Sequence, residues 1–133
     1  MMVAEPDRLQ TAPAAFAASI RVVHATGSTT AVAVNGECDL TTAPELTRVA
    51  QQAIAEGRNV IIDLSEVSFL DVAMVRSLLT AHAAALERGC ELVVQLGENT
   101  FAERVLSITG ADRKLATAVT RRAAMELAVA PAY

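Results

Sequence analysis

A chain of 133 residues, 53% of them hydrophobic, is long enough to close one core without metals or disulfides and too apolar to stay disordered. Its 11 Lys and Arg against 15 Asp and Glu leave a net charge of -4, which lacks the basic excess that nucleic acid or an anionic membrane surface demands. No apolar run approaches the roughly 18 to 20 residues of a spanning helix, and Glu5 and Asp7 stand where a secretion signal would be basic and then apolar, so a cytoplasmic protein is expected.

Residues 1–18 contain Ala and Pro without a period and are read as a leader, with the folded domain expected over residues 19–130. Ile20, Val22 and His24 alternate with Arg21 and Val23. After a turn at Gly27 and Ser28, residues 30–34 resume a β-branched run that predicts a hairpin ending at Asn35-Gly36. Thr42 with Glu45 has the form of a capping box, and Pro44 suits a first helical turn. A helix is therefore expected to run to Glu56, with Leu46, Val49, Ala50, Ala53 and Ile54 on one face and Gly57 as its stop.

Val60, Ile61, Ile62 and Leu64 form a nearly unbroken apolar run, the pattern of a strand covered on both faces in a parallel sheet. Residues 65–70 are read as a connection and Asp71 as the N-cap of a helix starting at Val72. Val75, Leu78, Leu79, His82 and Leu86 are expected to share its packing face, with Gly89 at its end. Residues 92–96 predict a buried strand. Residues 100–108 predict a short helix carrying Phe101, Val105 and Leu106 and closed by Thr109-Gly110. A last strand within residues 114–119 and a helix over 121–128 capped by Thr120 complete the order β-β-α-β-α-β-α-β-α. A hairpin leading into right-handed crossovers is an α/β fold, with its helices mainly on one side of the sheet.

Signatures of catalysis are absent. No GxGxxG, GxxxxGK[ST] or GxSxG pattern occurs, His24 and His82 fall on different elements, and nothing pairs a nucleophile with a base, so neither an enzyme nor a cofactor is expected. Asp63 and Asp71 by themselves lack the further acids and the lysine that a phosphoaspartate site needs. Cys38 and Cys90 are expected at opposite edges of the sheet, about 15 Å apart for a strand of about 5 residues. That exceeds the roughly 7 Å limit between Cα atoms for a disulfide. Both read as inert buried thiols, and two cysteines so far apart make no zinc site. In open α/β sheets ligands and partners meet the carboxyl ends of the strands, which singles out the apolar helix start Val72-Ala73-Met74.

Gly36-Glu37-Cys38-Asp39-Leu40, followed by Thr41-Thr42-Ala43-Pro44-Glu45-Leu46, resembles the "GELD-L-TAPEL" segment of bacterial anti-sigma factor antagonists, the STAS family. Val60-Ile61-Ile62-Asp63-Leu64-Ser65 through Val67-Ser68-Phe69-Leu70-Asp71 is similar to its "VVLDLSGVSFIDSSG" block, and Val105-Leu106-Ser107-Ile108-Thr109-Gly110-Ala111-Asp112 to "VLELTGLD". The resemblance implies a STAS-like single domain, a mixed and mostly parallel sheet of four or five strands with helices mainly on one side.

It also implies binding to an anti-sigma factor, a serine kinase of the GHKL type, and through that the release of a sigma factor. Phosphorylation of a serine just after the Asp71 position blocks such binding in the family. Here Val72-Ala73-Met74 follow Asp71, so no hydroxyl is available at the family position. The expected contact surface comprises Asp39, Leu40, Thr41, Asp71, Val72, Ala73, Met74 and Arg76, with Met74 making the helix tip bulkier and more apolar. The other reading is a STAS sensor or scaffold module that takes a small molecule or other STAS domains, and homodimerisation stays open. Phosphorylation at Thr42, Ser68 or Ser77 is a third reading, although neither Ser77, away from the helix start, nor Ser68, before Phe69 in the connection, reproduces the lost geometry.

Overall fold

The structure, a computed structural model, describes residues 18–128. The leader expected over residues 1–18, apart from Ala18, and the expected domain end at residues 129–130 lie outside the described residues.

Five strands form one sheet whose spatial order repeats the chain order: β1 (Ser19–Ala25), β2 (Thr29–Cys38), β3 (Asn59–Leu70), β4 (Leu92–Gln95) and β5 (Ala116–Ala118). β1 pairs antiparallel with β2, and every later pair is parallel. Because the order only advances, right-handed crossovers put α1 (Ala43–Ala55), α2 (Val72–Glu87) and α3 (Thr100–Thr109) on one face. Val32, Val34, Val60, Ile62 and Leu64 from the sheet meet Leu46, Met74, Leu78 and Leu106 there in the main core.

The fourth helix, α4 (Arg121–Ala128), departs from the one-sided arrangement. Ala31, Ile61 and Val93 point to the opposite face and are fully buried against Ala124 and Ala128 of α4. The apolar run at residues 60–64 had implied cover on both faces. In an advancing sheet the crossovers cover one face, and here the chain supplies cover to the other after the last strand, where it passes the β5 edge.

Arg58, just before β3, ties the hairpin turn down. It donates to the carbonyls of Thr26, Gly27 (3.2 Å) and Thr29 (2.8 Å) and to the Thr30 hydroxyl (2.6 Å). The β1 alternation breaks at a bulge between Val22 and His24, which leaves Val22 and Val23 both exposed.

Three expectations are corrected. The second strand does not end at Asn35-Gly36, and residues 65–70 are not a connection: β2 and β3 continue side by side, pairing Asn35 with Glu66 and Cys38 with Leu70. Register shifts at Ala33/Asn35 and Gly36/Glu37 interrupt the period of two that would have shown this, and Gly36 accommodates the bend with φ 87°. Secondly, the predicted capping box at α1 does not form. The Thr42 hydroxyl accepts from the Asp39 N–H (3.5 Å) before the helix, while Glu45 pairs with Arg48.

Thirdly, α2 is rotated from its expected face. It buries Met74, Leu78, Ala81 and Ala85, while Leu86 is exposed and Leu79 and His82 are only partly covered. Ala81 and Ala85 are buried in the main core beside Met74 and Leu78, and Leu79, His82 and Leu86 fall on the flank. The predicted helix over 100–108 is observed as α3, closed by Gly110 in the left-handed conformation (φ 79°). Its cap is Asn99, which accepts from Ala102 N–H (3.1 Å) and donates to the Leu64 and Val67 carbonyls, locking α3 to β3. Cys38 and Cys90 are free and buried, as expected.

Candidate functional site

The site is built where β2 and β3 end together. Cys38 and Leu70 are register partners, and the Asp71 N–H donates to the Cys38 carbonyl at 3.2 Å. The loop after β2 and the start of α2 therefore leave the sheet side by side. Two aspartates then fix the two turns. Asp39 folds its own loop, its Oδ1 accepting from the Thr41 N–H (2.9 Å) and the Thr41 hydroxyl (2.7 Å), while its carbonyl accepts from the N–H groups of Thr42 and Ala43. The Thr41 bonds hold the Asp39 carboxyl below the usual carboxylate range. Asp71, in an extended conformation, caps α2 by accepting from the Met74 N–H at 3.2 Å.

These rigid turns present apolar side chains. Leu40 is 71% exposed at the tip of the first turn and Val72 is 54% exposed at the start of α2. Ala73 is partly buried and Arg76 exposed on the next turn. Phe69 is 44% exposed, register partner of Glu37 at the end of β3, and sequence reasoning did not include it among the site residues. The signal for it was present: an aromatic residue in a strand whose neighbour Leu70 faces the core.

Met74 is corrected. Its side chain is fully buried in the main core, so it does not enlarge an exposed apolar tip. The capping geometry explains this: with Asp71 as N-cap, the third helical residue turns inward beneath Val72. The structure thus brings Asp39, Leu40, Thr41, Asp71, Val72, Ala73 and Arg76 to one edge, and takes Met74 into the core. Ser77 is also buried, donating to the Ala43 carbonyl (3.1 Å) and accepting from the Thr47 hydroxyl (2.9 Å), so it joins α1 to α2.

Two hollows flank the Asp39 loop. One, of about 460 Å³, is acidic and lined by Ala18, Ile20, Glu37, Asp39, Thr41 and Glu45. The other, of about 560 Å³, lies between α1 and α2, with Ala43, Ala73 and Ser77 beside Leu40, Arg48 and Arg76. Behind the edge, the Cys38 thiol is pushed up to about 11 by burial and then by the negative charges of Asp39 and Asp71. It is protonated and poorly nucleophilic at neutral pH. Among the described residues no group of three His, Cys, Asp or Glu is placed to hold a metal ion, and no helix is long and apolar enough to cross a membrane.

A mixed, mostly parallel five-stranded sheet with three helices on one face is the form of a STAS-type domain. The chain belongs to the STAS family, in which the family model described as "Mlab, STAS domain" matches residues 9–127. The match takes in part of the stretch read from sequence as a leader. Solved structures share the fold. One is an anti-sigma factor antagonist from Mycobacterium paratuberculosis, 24% identical, with a TM-score of 0.69 over 84% of this chain and 94% of that one. The anti-sigma factor antagonist SpoIIAA of Bacillus, in its unphosphorylated form, is 18% identical with a TM-score of 0.68 over 81% and 94%. An anti-sigma-factor antagonist (STAS) domain protein from Planctomyces limnophilus is 19% identical, with a TM-score of 0.65 over 84% and 98%. A comparison with curated proteins gives no match.

Proposed function

We propose that this protein is an anti-sigma factor antagonist: a cytoplasmic binding module, not an enzyme, that captures an anti-sigma factor of the GHKL serine-kinase type and so frees a sigma factor. The observation that carries this reading is the edge itself, where Leu40 and Val72 stand exposed on turns pinned by Asp39 and Asp71. Ordered apolar side chains ringed by polar ones form the centre of protein interfaces, and turns already rigid before binding lower the ordering cost. Asp39, Leu40, Thr41, Asp71, Val72, Ala73 and Arg76 form the contact surface in this reading. Solved antagonists with the same fold support it, SpoIIAA among them in both unphosphorylated and phosphorylated forms.

In that role the present chain has no phosphoryl acceptor at the helix start, since Val72 and Ala73 stand at the family's serine positions. Burying a phosphate dianion beside Val72 would be costly, so its chemical absence leaves docking constitutive or regulated by another route. The test is binding of the purified protein to candidate kinase-type anti-sigma factors with and without ATP, followed by intact mass. Binding unaffected by ATP with an unchanged mass is expected. A mass gain of one phosphate accompanied by loss of binding overturns it.

The second reading, a sensor or scaffold module for a small molecule or other STAS domains, including a second copy of this chain, is favoured by the two open hollows beside the edge. Native mass spectrometry of the purified protein separates the two: a retained small molecule or a dimer supports the module reading.

A further inference from the structure

Asp63 stands where β3 changes neighbours. Pairing with β4 ends at Asp63 opposite Gln95, and from there β3 continues along β2 alone to the edge at Leu70 and Asp71. The change is made at a bulge: β3 takes three steps from Asp63 to Glu66 while β2 takes two from Ala33 to Asn35. The Asp63 carboxylate holds that bulge, its Oδ1 accepting from the Ser65 N–H (2.9 Å) and hydroxyl (2.7 Å). Its Oδ2 accepts from Arg121 at the start of α4 (2.8 Å), and Arg121 also donates to Gln95 Oε1 (2.6 Å). One carboxylate thus joins the second-face helix to the strand that carries the edge.

A second path runs beside it. Leu96 and Gly97, just past β4, donate to the carbonyls of Ala118 (2.8 Å) and Val119 (2.9 Å), just ahead of α4. Gly97 lies so close to the bulge that a Cβ there would stand 2.7 Å from the Ser65 Cβ. α4 itself is lightly held, since the apolar layer beneath it is Ala31, Ile61 and Val93 against Ala124 and Ala128, apart from the main core.

We propose that α4 is a strap that sets the pose of the docking edge. Docked, it holds the β3 bulge through Arg121, Asp63 and Ser65; lifted, it leaves residues 65–71 looser while the main core stays folded, because the two apolar layers are separate. Asn99 limits the release, donating to the Leu64 and Val67 carbonyls from the α3 side. The regulatory meaning rests on the antagonist reading: an edge held rigid binds at a lower ordering cost than a loosened one, a control that does not need the missing serine. The strap itself does not depend on that reading, and its test contains no partner, so its failure leaves the antagonist reading untouched.

Amide hydrogen exchange is recorded by NMR on the full chain in wild type, Arg121→Leu and Arg121→Lys. Ala124 reports the strap, Ser65 the bulge and Asp71, bonded to the Cys38 carbonyl, the edge; Thr29 in the hairpin turn and Ala102 in α3 are the controls. In Arg121→Leu, exchange at Ala124, Ser65 and Asp71 should rise by about tenfold or more and that of the controls by less than about threefold. Arg121→Lys, which keeps a charge beside Asp63, should give a smaller rise. Unchanged exchange at Ser65 and Asp71 overturns the proposal whatever Ala124 does, because the strap then does not reach the edge. An equal rise at all five amides overturns it too, because α4 then opens only with the whole domain. Should Arg121→Leu not fold, the wild type decides alone: in urea below the midpoint Ala124, Ser65 and Asp71 should share one exchange dependence distinct from that of the main core, and separate dependences overturn the strap.

Discussion

Leu40 and Val72 are the two side chains on which partner binding should depend most. Each is more than half exposed and neither contributes to the core, so Leu40→Asp and Val72→Asp should change stability by no more than about 0.5 kcal/mol. If the protein acts as the proposed antagonist, binding to its anti-sigma factor should weaken by roughly tenfold or more, the loss of a central interface contact worth at least about 1.4 kcal/mol. Titration calorimetry beside urea denaturation checks both halves. Met74 behaves in the opposite way. As a fully buried core residue it should cost about 2 to 5 kcal/mol when changed to Ala, seen as a lower urea midpoint. Weak binding by a Met74 variant would therefore report damaged folding. Cys38 supplies a pH prediction. Its folded thiol holds its proton to about pH 11 while the unfolded thiol loses it near 9, so the folded state binds more protons in that interval. This contribution is complete below pH 9 and is lost as the pH rises toward 11. The urea midpoint should fall more steeply between those pH values in the wild type than in Cys38→Ala.

The second-face helix α4 is held by one polar clamp as much as by its alanines. Arg121, at its first turn, donates to Asp63 Oδ2 (2.8 Å) and to Gln95 Oε1 (2.6 Å), and Asp63 Oδ1 accepts from the N–H and hydroxyl of Ser65. The Asp63 side chain is 14% exposed, so Arg121→Leu strands a largely covered carboxylate and an amide oxygen. The expected loss is about 1.5 to 3 kcal/mol. In hydrogen exchange the amides of α4 should lose protection before those of α1 to α3. Asp63 was legible in the sequence only as an acid interrupting an apolar strand, because its partner lies 58 positions away. Local patterns did announce Asp71 as a cap and Gly110 as a stop, since a cap bonds within three residues of itself. They failed at residues 35–38 and 65–70, where two strands support each other through a shifted register that neither strand displays alone. They failed again at Thr42, whose hydroxyl turned back to the Asp39 N–H.

Across the whole molecule, element order and the quoted motifs were sufficient for the α/β class, the right-handed crossovers and the STAS family, because periodicity and connection handedness are carried by the chain itself. The same holds for the identity of most edge residues, which cluster just after two strands. Which of those residues face solvent was decided only by tertiary structure. Val72 and Met74 are two positions apart and both apolar, yet one is 54% exposed and the other fully buried. Their fates differ because the cap at Asp71 sets the phase of α2, and the face that carries Met74, Leu78, Ala81 and Ala85 turns into the main core. Likewise the apolar strand at residues 60–64 required two covers, but only the packed sheet determined that α4, following β5, would cover the second face. Hydrophobic pattern says how much of a side chain must be hidden; the neighbours that hide it are far away in sequence, and only folding brings them to hand.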